Sequence, residues 1–365
     1  MDGKGAHPYL SSSIVPFPGN KILLIGPGFI GWPILDLLVD GNYEVTVFVR
    51  RESHGQQLAR SGAARIAVGN LDDTDLIRRW ALHHDIIIHT ATSDHLPSVE
   101  AVLAAIQERA DKGYKTIFIH TSGTCILDDQ AMGNFKSEKV YRDDDVAEID
   151  SLPINAPHRN VDIPIVKFQR QLGEKAKIAI MIPSCVCGFN KNHGRLSIQI
   201  PTLTRYALKH GYAGQIGAGL PVQSYIHVND LARGYLALLH HLERTSPNSP
   251  QLLENPYYFC ESTGKSEPSW NEIATLIGQE LHARGLISDP KPRTIPPENY
   301  DDILKGFTNA AVGLNSRSRA VRLRELGWKP IEKNWEFSFR FEELPAILSE
   351  DVDRKAFNGY QGIIP

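Results

Sequence analysis

The sequence predicts an α/β protein built on a doubly wound parallel sheet, with a smaller, mostly C-terminal lobe beside it. Three observations carry that expectation. From Asn20 onward, short apolar runs alternate with stretches of helical periodicity, the pattern of a parallel sheet covered on both faces. A glycine-rich turn, "GPGFIG", stands at the first strand-to-helix junction. Past residue 190 the rhythm breaks into shorter segments with proline-rich links such as "SDPKPRTIPPEN".

Taken in order, "KILLIG" is the short apolar run of a fully buried parallel strand. In "FIGWPILDLLVDG", Ile30, Ile34, Leu37 and Leu38 share one helical face, and Gly41 is a helix stop. "YEVTVFV" is a second strand rich in β-branched residues. "ARIAVG" and "DIIIHTA" make the third and fourth, with "DTDLIRRWAL" a helix between them. "SVEAVLAAIQERADKG" is a helix, "KTIFIHTSG" a fifth strand and "KIAIMIPS" a sixth. Right-handed crossovers then order the sheet. Beyond it, "RLSIQIPTLTRYALKHG" leads into a helix, "VQSYIHVNDLARGYLALLHHL" reads strand then helix from Asn229 or Asp230, and "PYYFCES" is a further strand.

Composition narrows the function. The 365 residues are 42% hydrophobic and 22% charged with a formal net charge of −3. No dense Lys/Arg run suggests a nucleic-acid or membrane-surface partner. Cys125, Cys185, Cys187 and Cys260 have no zinc-ligand spacing, so no metal and reduced thiols are expected. No apolar run reaches the roughly 18 residues of a membrane span. Residues 1–19 read as an arm rather than a signal peptide. A cytoplasmic protein is the expectation.

The glycine turn has the form Gly26-x-Gly28-x-x-Gly31 between strand and helix. Its glycines allow a tight turn, close approach of backbone to a pyrophosphate, and close helix–strand packing, while the helix start offers free N–H groups. That makes a Rossmann dinucleotide site with Phe29 and Ile30 inside the loop. The end of the second strand selects the cofactor. An acid there would bind ribose hydroxyls, but the chain has Arg50 and Arg51, whose guanidinium groups suit a 2′-phosphate. NADP(H) is the expected cofactor.

Together "GPGFIG", "VGNLDD", "DIIIHTATSD", "IFIHTSGT", "IMIPSCVCG" and "SYIHVNDLARGYLALL" resemble the extended short-chain dehydrogenase/reductase family, in its NAD-dependent epimerase/dehydratase branch, closest to fungal-type members. The resemblance spans about residues 20 to 262. It implies that Asp72 sits beside the adenine, that Thr90 and Ala91 line the nicotinamide ribose and pyrophosphate, and that Pro183, Ser184, Cys185 and Val186 border the nicotinamide. His227 and Asp230 match a motif read as structural, with Asp230 capping the following helix. It also implies a nucleotide-binding domain over 20–190 plus about 222–262 and a substrate-binding domain over about 191–221 plus 263–365. A homodimer through the two long helices flanking the central strands follows from the resemblance alone.

One departure is sharp. The family carries Tyr-x-x-x-Lys, yet none of the twelve tyrosines here has a lysine four residues on. In "NAPHRNVDIPIVKFQRQLGEKA", His158 falls near the tyrosine's place and Asp162 near the lysine's, four apart and so on one helical face. Three readings stay open. His158 is the general acid, with Asp162 holding its tautomer or the ribose hydroxyls. Alternatively the proton comes from water or substrate, or the pair only starts a helix. Ser122 or Thr124, flanking Gly123, could donate a hydrogen bond to a substrate oxygen. The adjacent histidines in "ALHHD" and "LLHHLERT" read as surface or capping residues, and "YRDDDVAEID" as an exposed loop. The expected activity is NADPH-dependent reduction of a carbonyl, alkene or imine in a small organic substrate. Its alternatives are a non-redox isomerase, lyase or cyclase that retains NADP(H), and an NADP(H)-sensing regulator.

Overall fold

A computed structural model of the chain describes residues 21–262, 267–332 and 334–360; the expected arm over 1–19 lies outside them. Seven strands form one sheet: β1 (Lys21–Ile25), β2 (Glu44–Val49), β3 (Arg65–Val68), β4 (Ile86–His89), β5 (Ile117–Thr121), β6 (Lys177–Pro183) and β7 (Tyr257–Cys260). Their order is β7-β6-β5-β4-β1-β2-β3, and every neighbouring pair is parallel. The doubly wound Rossmann sheet is therefore as expected, with "PYYFCES" supplying its seventh strand. Burial on both faces explains the strand composition. Ile22 to Ile25 and Ile86 to Ile88 are at most 1% exposed, each contributing about 1.5–3 kcal/mol of transfer free energy.

The sheet is covered by α1 (Gly31–Asp40), α2 (Glu52–Arg60), α3 (Thr74–Leu82), α4 (Leu96–Asp111), α5 (Arg159–Leu172) and, once α6 (Gln199–His210) has passed outside its core, α7 (Val228–Arg244); α8 (Trp270–Ala283) packs with α6. The sequence reading does not identify α2. Its "ESHGQQLAR" buries only Gly55 and Leu58, too little apolar periodicity to announce a helix. A second hydrophobic core gathers Ile200, Leu203, Tyr206, Trp270, Ile277, Trp335 and Phe339, and a short strand at Cys185–Cys187, paired with Tyr225–His227, leads toward it.

Several local expectations change. Helix α7 starts at Val228, capped by His227, whose Nδ1 accepts from the Asn229 N–H at 3.2 Å. Asp230 is instead fully buried and accepts from the Ile331 and Glu332 N–H groups and from Arg233. His84 is no surface residue: it is 3% exposed and bonded to Trp80 O and Thr46 Oγ1. In "YRDDDVAEID", Asp143 is wholly buried and accepts from the N–H groups of Phe259, Val321 and Arg322. Burial pushes its carboxyl up to about 6 against those hydrogen bonds. Among the described residues no helix is long and apolar enough to cross a membrane.

Candidate functional site

The C-terminal ends of β1, β2, β4, β5 and β6 meet along one edge of the sheet, where open α/β folds bind ligands. The glycine loop follows β1. Gly26 has φ +83°, and a Cβ there would lie 2.3 Å from Ala91 Cα. At Gly31 a Cβ would come within 2.6 Å of Gly26 O and Thr90 Oγ1. Both glycines are thus pressed against the end of β4, where Thr90 Oγ1 also donates to Gly26 O at 2.8 Å. Gly28 differs. A Cβ added there would meet nothing nearer than Gly26 O at 3.9 Å, so bare backbone faces open space. Phe29 and Ile30 complete the turn before α1. A cradle tight at two glycines and open at the middle one fits a dinucleotide pyrophosphate.

After β2, Arg50 and Arg51 are exposed, with Arg51 immediately before α2. After β3, Asp72 is exposed, its Oδ1 3.1 Å from His95 Nε2. After β6, Pro183 ends the strand, Ser184 Oγ donates to Cys260 O at 3.2 Å, and Val186 lies in register with Ile226. Burial pushes the Cys185 thiol up to about 12, so at neutral pH it is a small hydrophobe rather than a nucleophile.

The centre of the edge is a polar cluster. His158 is the residue before α5, in the left-handed region at φ +67°. Its Nδ1 lies 2.7 Å from Asp94 Oδ1, with side chains 14% and 19% exposed. Burial would lower its pKa, but the hydrogen bond to Asp94, aided by Cys125, overrides this and raises it to about 10. The ring faces Gly123, where a Cβ would meet its Nε2 at 3.3 Å. The cluster is thus an imidazolium–carboxylate pair at neutral pH, able to deliver a proton.

Asp162 goes elsewhere. Being in the first turn of α5 while His158 precedes the helix in another backbone conformation, it turns away and accepts from Ser122 Oγ at 2.7 Å. It is therefore not the carboxylate bonded to the His158 ring; Asp94 is. Burial raises the Asp162 carboxyl to about 6, partly offset by Ser122. Since the Ser122 proton is directed to Asp162, this hydroxyl is not aimed at a substrate oxygen. Thr124 is 4% exposed and opens a short 3-10 turn. Pro164 sits inside α5 without ending it. Sequence reasoning missed Asp94 and Cys125. Asp94 stands in the quoted "TATSD", just past β4, and an acid at a sheet's binding edge was the available signal.

Known proteins resemble this chain in sequence and in fold. Residues 26–148 match a family model described as NAD(P)H-binding. An oxidase from an Acremonium species is 30% identical, over 86% of this chain and 93% of its own. Among solved structures, a UDP-glucose 4-epimerase from Thermotoga maritima superposes with a TM-score of 0.61 at 18% identity, over 89% of this chain and 97% of its own. A dTDP-glucose 4,6-dehydratase from Streptomyces venezuelae superposes with a TM-score of 0.62 at 15% identity, over 88% and 95%. At those identities the two structures speak to the fold.

Proposed function

This chain belongs to the family of the Acremonium oxidase and carries an NAD(P)H-binding segment over residues 26–148, and from that footing we propose that it is an NADPH-dependent reductase of a small organic carbonyl, alkene or imine. The observation that carries this reading is the His158–Asp94 pair at the sheet's binding edge. Gly26, Gly28 and Gly31 would hold the pyrophosphate, Arg50 and Arg51 a 2′-phosphate, and Ser184 to Val186 the nicotinamide end. When bound, the cofactor supplies hydride. The chain's own residues orient the substrate, exclude water and provide the proton. His158 Nε2 is the donating atom, and Asp94 fixes the ring through Nδ1 and keeps it protonated. Asp162 and Ser122, both buried, support the start of α5 beneath the pair.

The test is to incubate the purified protein with NADPH deuterated at its transferable position and a small-molecule extract, then follow products by mass spectrometry. A product that gains one deuterium as NADPH is oxidised supports a reductase and identifies its substrate. A product lacking deuterium would replace this reading with non-redox chemistry.

A further inference from the structure

A second cluster lies away from the His158 pair, between the first turns of α1 and α2. A hairpin formed by Phe189–Asn190 and Arg195–Leu196 crosses over α1 from the strand that follows β6. It is pinned there twice. The His193 ring stacks on Trp32 with centroids 4.1 Å apart and an 18° interplanar angle, and His193 Nε2 lies 2.6 Å from Asp36 Oδ2. Trp32 is the second residue of α1, directly after the glycine loop.

This anchoring carries Arg195 over the Trp32 ring, 5.4 Å from its centroid. Its Nη2 donates to His54 Nε2 at 3.0 Å. An imidazole that accepts is neutral, since a guanidinium has no acceptor. His54 belongs to the first turn of α2, three residues after Arg51. Burial, then the charges of Arg195 and Arg51, lower its pKa to about 4, and burial and Arg51 lower that of Arg195. The Arg51 charge is thus felt at both His54 and Arg195, the Tyr360 hydroxyl acts on Arg195 in the opposite sense, and among the described residues no carboxylate is paired with Arg195. Arg205, by contrast, is paired with Glu350. Holding like charges together costs free energy, and an anion placed among them recovers it.

We propose that Arg195, His54 and Arg51 form a phosphate-monoester site, closed by the 189–196 hairpin, that grips the 2′-phosphate of NADP(H). The proposal rests on the NADPH reading and extends it to a residue from outside the nucleotide-binding segment. The glycine loop addresses the pyrophosphate; this site addresses the one phosphate by which NADP differs from NAD. Arg195 offers a planar fork suited to a phosphate, and its stacking on Trp32 limits the rotamer freedom lost on binding. His54 sits where it can pick up a proton once a dianion offsets the two arginines.

The experiment compares NADPH, NADH, 2′-AMP and 5′-AMP binding to the full chain and to Arg195→Met and Arg195→Lys. Arg195→Met should lose about ten- to a hundredfold in NADPH affinity, the worth of one or two charge-assisted hydrogen bonds. NADH should bind it within about twofold of the parent, which also shows that the variant is folded. Arg195→Lys, with charge but no fork, should fall between, and 2′-AMP should follow NADPH while 5′-AMP follows NADH. If the parent prefers NADPH and Arg195→Met keeps the full preference, this site is wrong and the cofactor reading stands. If the parent binds NADH as tightly as NADPH, both fall. Inorganic phosphate that displaces 2′-AMP but not NADPH would mark an adventitious anion site and overturn the assignment.

Discussion

At the scale of single residues, the three loop glycines divide into two kinds. Gly26 and Gly31 are required by the fold, because any Cβ would enter Ala91, or Thr90 and the Gly26 carbonyl. Gly26→Ala must also place alanine at φ +83°, so a loss of about 2 kcal/mol or more is expected, read by denaturant melts. Gly28 has room for a methyl group. Gly28→Ala should therefore melt like the parent while losing most of its NADPH affinity, and unchanged affinity would count against a pyrophosphate there. His158 gives a pH prediction. Its folded pKa of about 10 lies above the 6.5 of a free imidazole. The pair with Asp94 therefore stabilises fully below pH 6.5, and the contribution is lost as pH rises toward 10. The melting-temperature gap between parent and Asp94→Asn should close over that interval. Turnover should show an alkaline limb near pH 10 in the parent, shifted toward neutrality in Asp94→Asn. His158→Phe should abolish turnover with NADPH binding nearly intact, and retained turnover would remove its role as acid.

At the scale of elements, buried carboxylates join segments that the sequence leaves separate. Asp230 ties α7 to the Ile331–Glu332 backbone, and Asp143 ties β7 to residues 321–322. Asp230→Ala strands those N–H groups and the Arg233 guanidinium, at an expected cost of about 3–5 kcal/mol. Thermal melts would check it, and a loss near zero would mean that water replaces the carboxylate. These elements also mark where sequence reasoning stops. The sheet was legible because runs such as "IIIH" and "KILLI" carry their burial in composition alone. The glycine loop was legible because backbone approach leaves a spacing. Helix α2 was not, having little apolar face. The partner of His158 was not legible, because a spacing of four assumes a helix, whereas the chain enters α5 through a left-handed residue. Asp94 lies 64 positions away from its partner, and only the folded order of β4 and β5 brings them together.

At the scale of the molecule, the two hydrophobic cores divide the labour. The sheet core sets the cofactor edge, and the second core supports helices α6 and α8. The hairpin carrying Arg195 lies on α1, the helix that follows the glycine loop, so the proposed 2′-phosphate contacts would draw on residues far apart in the chain. A ligand that binds only the folded form stabilises it by about 2.7 kcal/mol at a hundredfold excess over Kd. NADPH should accordingly raise the melting temperature by several degrees, and more than NADH at equal concentration. Equal shifts would argue against the 2′-phosphate contacts.

The placement of His158 also bears on redesign of the site. A tyrosine put at position 158 would inherit the φ of +67° that His158 already bears, at a similar cost of roughly 1–2 kcal/mol. It would also meet Gly123 and Asp94 in positions fitted to an imidazole. Positions 94, 123 and 158 are therefore fitted to one another around the imidazole. A replacement at 158 alone would strand the Asp94 carboxyl without its ring partner.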